Sequence, residues 1–297
     1  MCIRDSFYSI ALFPLALLFS SVCITTALAE RRVLSEQEAS RFLNQAALGF
    51  DSKDIRTVQK LGMNRWLQLQ QRKRVSKTEP YIDYLESRRE RDINVGRRKL
   101  AYHKVDSSKT HVGYKNFGTA WLRAVLAGDD LLRQRVTWAL SQILVASGEE
   151  NRLTDGLANY YDTLSGAAFG SYSELLLKVT YHPVMGRYLS YVGNQKSDPS
   201  ENRYPDENYA REILQLFSIG LWKLNLDGTR IVDTFGQPIP TYTNEDIKEL
   251  ARVFTGFAMH NTQFGKTNWN HFDEPMVLVA ADHDLSLIHI SEPTRPY

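Results

Sequence analysis

The stretch LSEQEASRFLNQAALGF limits the fold more than any other part of the chain. Ser35 followed by Glu38 is a capping box, in which each side chain satisfies a backbone N–H of the other residue. Phe42 with Ala46, and Leu43 with Ala47, repeat at helical spacing, and Gly49 marks the stop. The same signature returns along the sequence. DSKDIRTVQKLGMNRWLQLQQ predicts a second helix, a break at Gly62, and a third helix anchored on Trp66 and Leu67. DDLLRQRVTWALSQILVAS is the strongest helical pattern: Asp129 and Asp130 suit the positive end of the helix dipole, and Leu132, Val136, Leu140 and Ile143 form one stripe.

Helical patterns over Leu157–Phe169 and Tyr172–Ser190 follow, the second interrupted by Pro183. Thr243 with Asp246 caps a further helix carrying Ile247, Leu250, Ala251 and Phe254. One region reads as strand, Leu224–Asp233, folded about Asp227-Gly228 as a hairpin. The polar stretch from Lys73 to Gly118 reads as a long excursion. The expected fold class is therefore mainly α: a multi-helix globular domain with one small β-hairpin.

The two ends are expected to stand outside that domain. Codons for Met1–Ser6 can be chosen whose reverse complement encodes Leu285 to Ile290 in order. Such an inverted repeat is what ligated sequencing adapter produces, so residues 1–6 and 285–297 are read as translated adapter. Residues 7–29 are apolar, uncharged before the end and close on Ala27-Leu28-Ala29, the form of a secretory signal peptide cleaved after Ala29. The helical domain is then 30–284, truncated at its C-terminus. Of the two cysteines, Cys2 falls in the adapter and Cys23 in the signal. An exported chain of this kind must rest on core burial, without disulfides. No membrane span is expected after signal cleavage, and the location is periplasmic or secreted.

The formal net charge is +2, which predicts no polyanion partner. ESRRERDINVGRRKL is basic but interleaved with acids, as on a solvated helix face, so no nucleic acid is expected. Familiar catalytic motifs are absent. The densest polar block is YPDENYAREILQLFSIG, where Asp206, Glu207, Asn208, Arg211 and Glu212 crowd one turn above a core face of Ala210, Ile213, Leu214 and Phe217. Glu207 with Arg211 and Asn208 with Glu212 sit one helical turn apart, which suits either a solvated pair or a binding site. His260, His271, Asp273, Glu274, His283 and Asp284 are imidazoles and carboxylates at loop spacings. No pair has a metal-ligand spacing, so no metal is assigned and the catalytic residues stay unknown. Trp121, Trp138, Trp222 and Trp269 are candidate sugar-binding rings, although helical aromatics more often fill a core.

RFLNQAALGF, LRQRVTWALSQILVAS, YYDTLSGAAFGSYSELLLKVTYHPVMGRYL, PDENYAREILQLFSIGLWKL and YTNEDIKELARVFTGF together resemble a bacterial family, domain of unknown function 1800. The resemblance spans most of Ser35–Asp284. His283-Asp284 is similar to a family motif in which HD is followed by a small residue and a lysine, here replaced by Leu285. The resemblance implies an exported helical architecture with a sizeable further C-terminal portion, and no reaction. It adds weight to Asp206–Glu212, a block shared beyond what helix packing requires. Two functions remain open. One is a non-catalytic scaffold or binding protein of the periplasm or cell surface, acting on a partner protein or an envelope polymer. The other is a carboxylate- or metal-dependent hydrolase of a polysaccharide or ester, with its cofactor unknown.

Overall fold

The structure is a computed structural model and describes residues 33–80, 82–84, 115–148, 154–266 and 272–286. The basic run Glu86–Leu100, most of the Lys73–Gly118 excursion, the proposed signal, His271 and Trp269 lie outside the described residues. The region from Leu34 onward is mainly helical, as its periodicity predicts.

Helix α1 (Glu36–Ala46) begins at the Ser35 capping box and buries Ala39, Leu43 and Ala46. Helix α2 (Ser52–Leu61) begins at a second box, Asp51 with Asp54, and α3 (Met63–Gln71) follows directly. Gly62 both ends α2 and starts α3 at φ +77°, a left-handed conformation that glycine adopts without strain. Its N–H closes onto Val58 while its carbonyl accepts from Trp66. These helices share a small core around Leu43, Val58 and Trp66, with Phe42 edge-on to Trp66 at 5.3 Å.

Next come α4 (Lys115–Ala127), α5 (Leu131–Ile143), α6 (Thr154–Ala167), α7 (Tyr172–Thr180) and α8 (Pro183–Tyr188). Helix α6 is buried on nearly every side and packs against α4, α5, α7 and α8, which makes it the axis of the fold. Helix α5 departs from its expected packing. Its buried positions are Arg133, Gln134 and Thr137, whereas Ile143 is exposed and Leu132, Val136 and Leu140 are half-buried. The polar face is met in part by distant groups: Arg133 donates to the Ser165 carbonyl at 2.8 Å and lies over the Phe169 ring at 4.6 Å, while its Nε has no partner among the described residues. Gln134 reaches the Ser76 carbonyl and Asp130. Asp130 does precede α5, yet its carboxylate holds Ser76 N–H and Gln134 and makes no cap bond.

The large core gathers Tyr160, Leu164, Val179, Met185, Tyr191, Tyr209, Phe254 and Phe272 from these helices and from the chain that follows. Helix α9 (Asn208–Glu212) passes into a π-helical turn at Ile213–Phe217, and α10 (Asn244–Val253) starts at the Thr243–Asp246 box. The segment between them is a lobe. The expected turn forms at Asp227-Gly228, with Leu224 bridged to Arg230. A third limb then joins, through the bridges Val232 to Pro238 and Trp222 to Pro240. Lys223 N–H donates to Ile239, Ile239 N–H to Ile231 and Ile231 N–H to Lys223, so three hydrogen bonds close a ring. Leu226 and Phe235 stand exposed at its two tips. The sequence reading missed a separate two-stranded pairing, β1 (Phe257–Ala258) with β2 (Val277–Leu278), antiparallel, with Phe257 opposite Leu278. Among the described residues, no helix is long and apolar enough to cross a membrane.

Candidate functional site

Asp206 stands just before α9 and secures its start. One carboxylate oxygen accepts from Asn208 N–H at 2.8 Å and the other from the Ser190 hydroxyl at 3.0 Å. Its own N–H donates to the Asn194 side chain at 2.9 Å. Arg211 reaches back one turn to Glu207 at 3.0 Å, with side-chain exposures of 42% and 36%, so the pair is well solvated. Asn208 turns toward Ser190, and the expected partnership with Glu212 does not form. One Glu212 carboxylate oxygen is shielded from solvent with no hydrogen-bond partner among the described residues. The π turn after Glu212 shifts the helical face. Tyr209 and Ala210 are buried with Phe217, while Ile213 and Leu214 are only half-buried. Tyr209 stacks on Tyr191 with 4.1 Å between rings and shares a 2.8 Å hydrogen bond with Thr180. Burial pushes the Tyr209 hydroxyl up to about 12 despite that bond.

His283 and Asp284 dock on the end of α10. The His283 Nδ1 lies 2.8 Å from the Thr255 carbonyl, which can only accept. Nδ1 therefore carries a proton, and in the neutral ring Nε2 keeps its lone pair, the tautomer that histidine uses when the far nitrogen is to act. Asp284 N–H donates to the Thr255 hydroxyl, and Arg252 donates to the Asp284 carboxylate at 2.8 Å. Partial burial works to raise the Asp284 carboxyl, but hydrogen bonds from Arg252 and Ser286 outweigh it and hold it near about 2. Ser286 falls in the stretch expected to be adapter, so it is not counted among the site residues.

The two candidate groups meet through one loop. Asn194 binds Asp206 N–H with its side-chain oxygen, donates to the Phe254 carbonyl at 3.3 Å, and accepts Gly256 N–H on its own carbonyl. Gly256 has φ +80°, and a Cβ there would stand 2.7 Å from the Cβ of His283. The close seating of His283 therefore requires glycine. The remaining described imidazole–carboxylate candidates do not join them. His260 pairs with Glu274 at 2.9 Å, and Asp273 lies close enough to Asp83 to add to the upward push that burial gives that carboxyl. Among the described residues no three His, Cys, Asp or Glu side chains form a metal-ligand set.

Beside the turn lies a recess of about 300 Å³ between the π turn, the foot of the lobe and the start of α10. Arg211 and Gln215 form one wall, Trp222 and Pro240 a second, and Tyr242 and Asn244 a third, over the buried Ile247. Arg230 lies over the Trp222 ring at 5.4 Å. The Tyr242 hydroxyl is buried and has no partner among the described residues. The other described candidate rings are placed elsewhere: Trp121 donates to the Tyr161 hydroxyl, and Trp138 is exposed beside Arg135. A larger recess of about 540 Å³, lined in part by Ser76, Arg123 and Gly128, holds none of the candidates.

Residues 41–286 match the family described as protein of unknown function (DUF1800). The chain belongs to this family. No curated protein and no solved structure matches it. In this DUF1800 chain the block Asp206–Glu212 thus contributes Arg211 to the recess, while Asp206 ties the block to the loop that also seats His283. Gln215, Pro240, Tyr242 and Asn244 were not singled out from the sequence. The only signal for the last three was position, since GQPIPTYTN had to pass back from the lobe to the α10 cap.

Proposed function

We propose that this chain is an exported, non-catalytic binding protein of the periplasm or cell surface, with the recess beside Arg211 as its ligand site. The observation carrying this reading is the chemistry of the recess wall. It offers one guanidinium, two amides and an indole, which are groups that recognise, and its described lining includes no carboxylate or imidazole. The nearby acids are already engaged: Asp206 with Asn208 and Ser190, Glu207 with Arg211. An envelope polymer is the occupant such a small polar recess favours over a partner protein, which needs a broad interface. The apolar segment 7–29 supports export.

The alternative hydrolase draws on a different observation, the His283 tautomer that leaves Nε2 with an available lone pair. One experiment separates the two. Purified protein is sedimented with isolated envelope polysaccharide while the supernatant is followed for newly released reducing ends or carboxylic acid. Retention that falls on Arg211→Ala, without release over time, supports binding. Release that disappears on His283→Ala replaces this proposal with the hydrolase.

A further inference from the structure

We propose that the recess holds one ring of a carboxylated polysaccharide, a hexuronate unit, resting on the binding reading above and naming its ligand. Size sets the first limit. About 300 Å³ is at the low end of small-molecule sites, enough for a single sugar ring with its neighbours left outside. The second limit is the apolar wall. Trp222 and Pro240, joined by a backbone bridge, both line the recess, and Arg230 lies over the Trp222 ring at 5.4 Å. An aromatic ring in such a lining suits the C–H face of a pyranose, whose hydroxyls then point sideways to the rim.

That rim carries the matching polar groups. The side-chain amides of Gln215 and Asn244 make no hydrogen bond among the described residues, and each offers donors and an acceptor. Charge chooses among sugars. Arg211 is the one charged residue in the described lining, and its bond to Glu207 uses one guanidinium nitrogen. The rest of the fork remains to receive a carboxylate, the anion whose geometry it matches.

The test uses the purified protein with trigalacturonate and its neutral counterpart galactotriose, read by titration calorimetry and tryptophan emission. Trigalacturonate should bind about tenfold more tightly than galactotriose, the worth of one charge-assisted contact. Trp222→Ala should weaken both sugars by about tenfold, and Gln215→Ala should weaken both by a smaller factor. Arg211→Gln should erase the preference by weakening trigalacturonate about tenfold more than galactotriose, with circular dichroism melting confirming that each variant is folded. Equal wild-type affinities, or a preference that survives Arg211→Gln, would overturn the assignment of the carboxylate to Arg211. Absence of binding to either sugar would overturn the sugar assignment. If envelope polymer were still retained and lost on Arg211→Ala, the ligand class alone would fall and the binding function would stand.

Discussion

Lowering the pH from 7 to 5 should cost this protein about 2 kcal/mol of stability through a single imidazole. His182 caps α8, its Nδ1 accepting Val184 N–H at 3.2 Å. Nε2 must then carry the proton, and it points at the Asn159 side-chain oxygen 3.0 Å away. Tyr160 packs edge-on at 5.0 Å, and burial lowers the histidine from its ordinary 6.5 to about 3. Protonation would set a second donor against Val184 N–H at the positive end of a helix. The sign follows directly. The folded pKa is depressed, so the stability is fully present above 6.5 and drains away as pH falls toward 3. Each pH unit in that window costs about 1.4 kcal/mol, which gives about 2 kcal/mol by pH 5. Asp162 acts the other way. Burial raises its carboxyl against the hydrogen bonds from Thr78 and Glu79, so it gains relative stability as pH falls through that raised value. Comparison with His182→Asn removes this offset, because asparagine can still cap the helix but does not titrate. Urea unfolding at both pH values measures the effect. If wild type and His182→Asn lost equal stability on acidification, the assigned role of His182 would be wrong.

Gly256→Ala should cost about 3 kcal/mol, because it adds both left-handed strain and a clash with the His283 backbone. Gly62→Ala, with a similar φ and open space around it, should cost about 1 kcal/mol in the same urea experiment. Arg211→Ala should lower stability by under about 1 kcal/mol, because its ion pair is solvated; a loss of several kcal/mol would mean that the pair is buried in the working protein. Cell fractionation followed by N-terminal sequencing should find the protein outside the cytoplasm and starting near Glu30, whereas a cytoplasmic product retaining Phe7–Ala29 would refute export.

Helix starts were the most legible part of this sequence, because a capping box is a local agreement between two residues. Ser35 with Glu38 and Thr243 with Asp246 both formed as read. The α5 stripe was misjudged for the opposite reason. Arg133 is buried because Ser165 and Phe169, far along the chain, supply an acceptor and a ring, and no spacing within α5 encodes them. At α9 the helical period itself changed: the π turn after Glu212 shifted the face that a 3.6-residue count had projected. The candidate turn was visible as a crowd of charges, but its relation to His283 was not. That relation runs through the Asn194 side chain and the bare backbone of Gly256, which meet only in the fold and leave no spacing to read along the sequence.

The closed ring at the foot of the lobe gives this protein a place where its sequence can grow. Because the three limbs bind one another through Lys223, Ile231 and Ile239, neither tip is needed to hold the base together. Residues 226–228 and 234–236 can therefore lengthen, shorten or exchange as cassettes without disturbing the helical body. An epitope tag or a foreign hairpin spliced at Leu226 or Phe235 would be displayed to solvent. Natural variants that differ in what they hold should carry their insertions at these two tips.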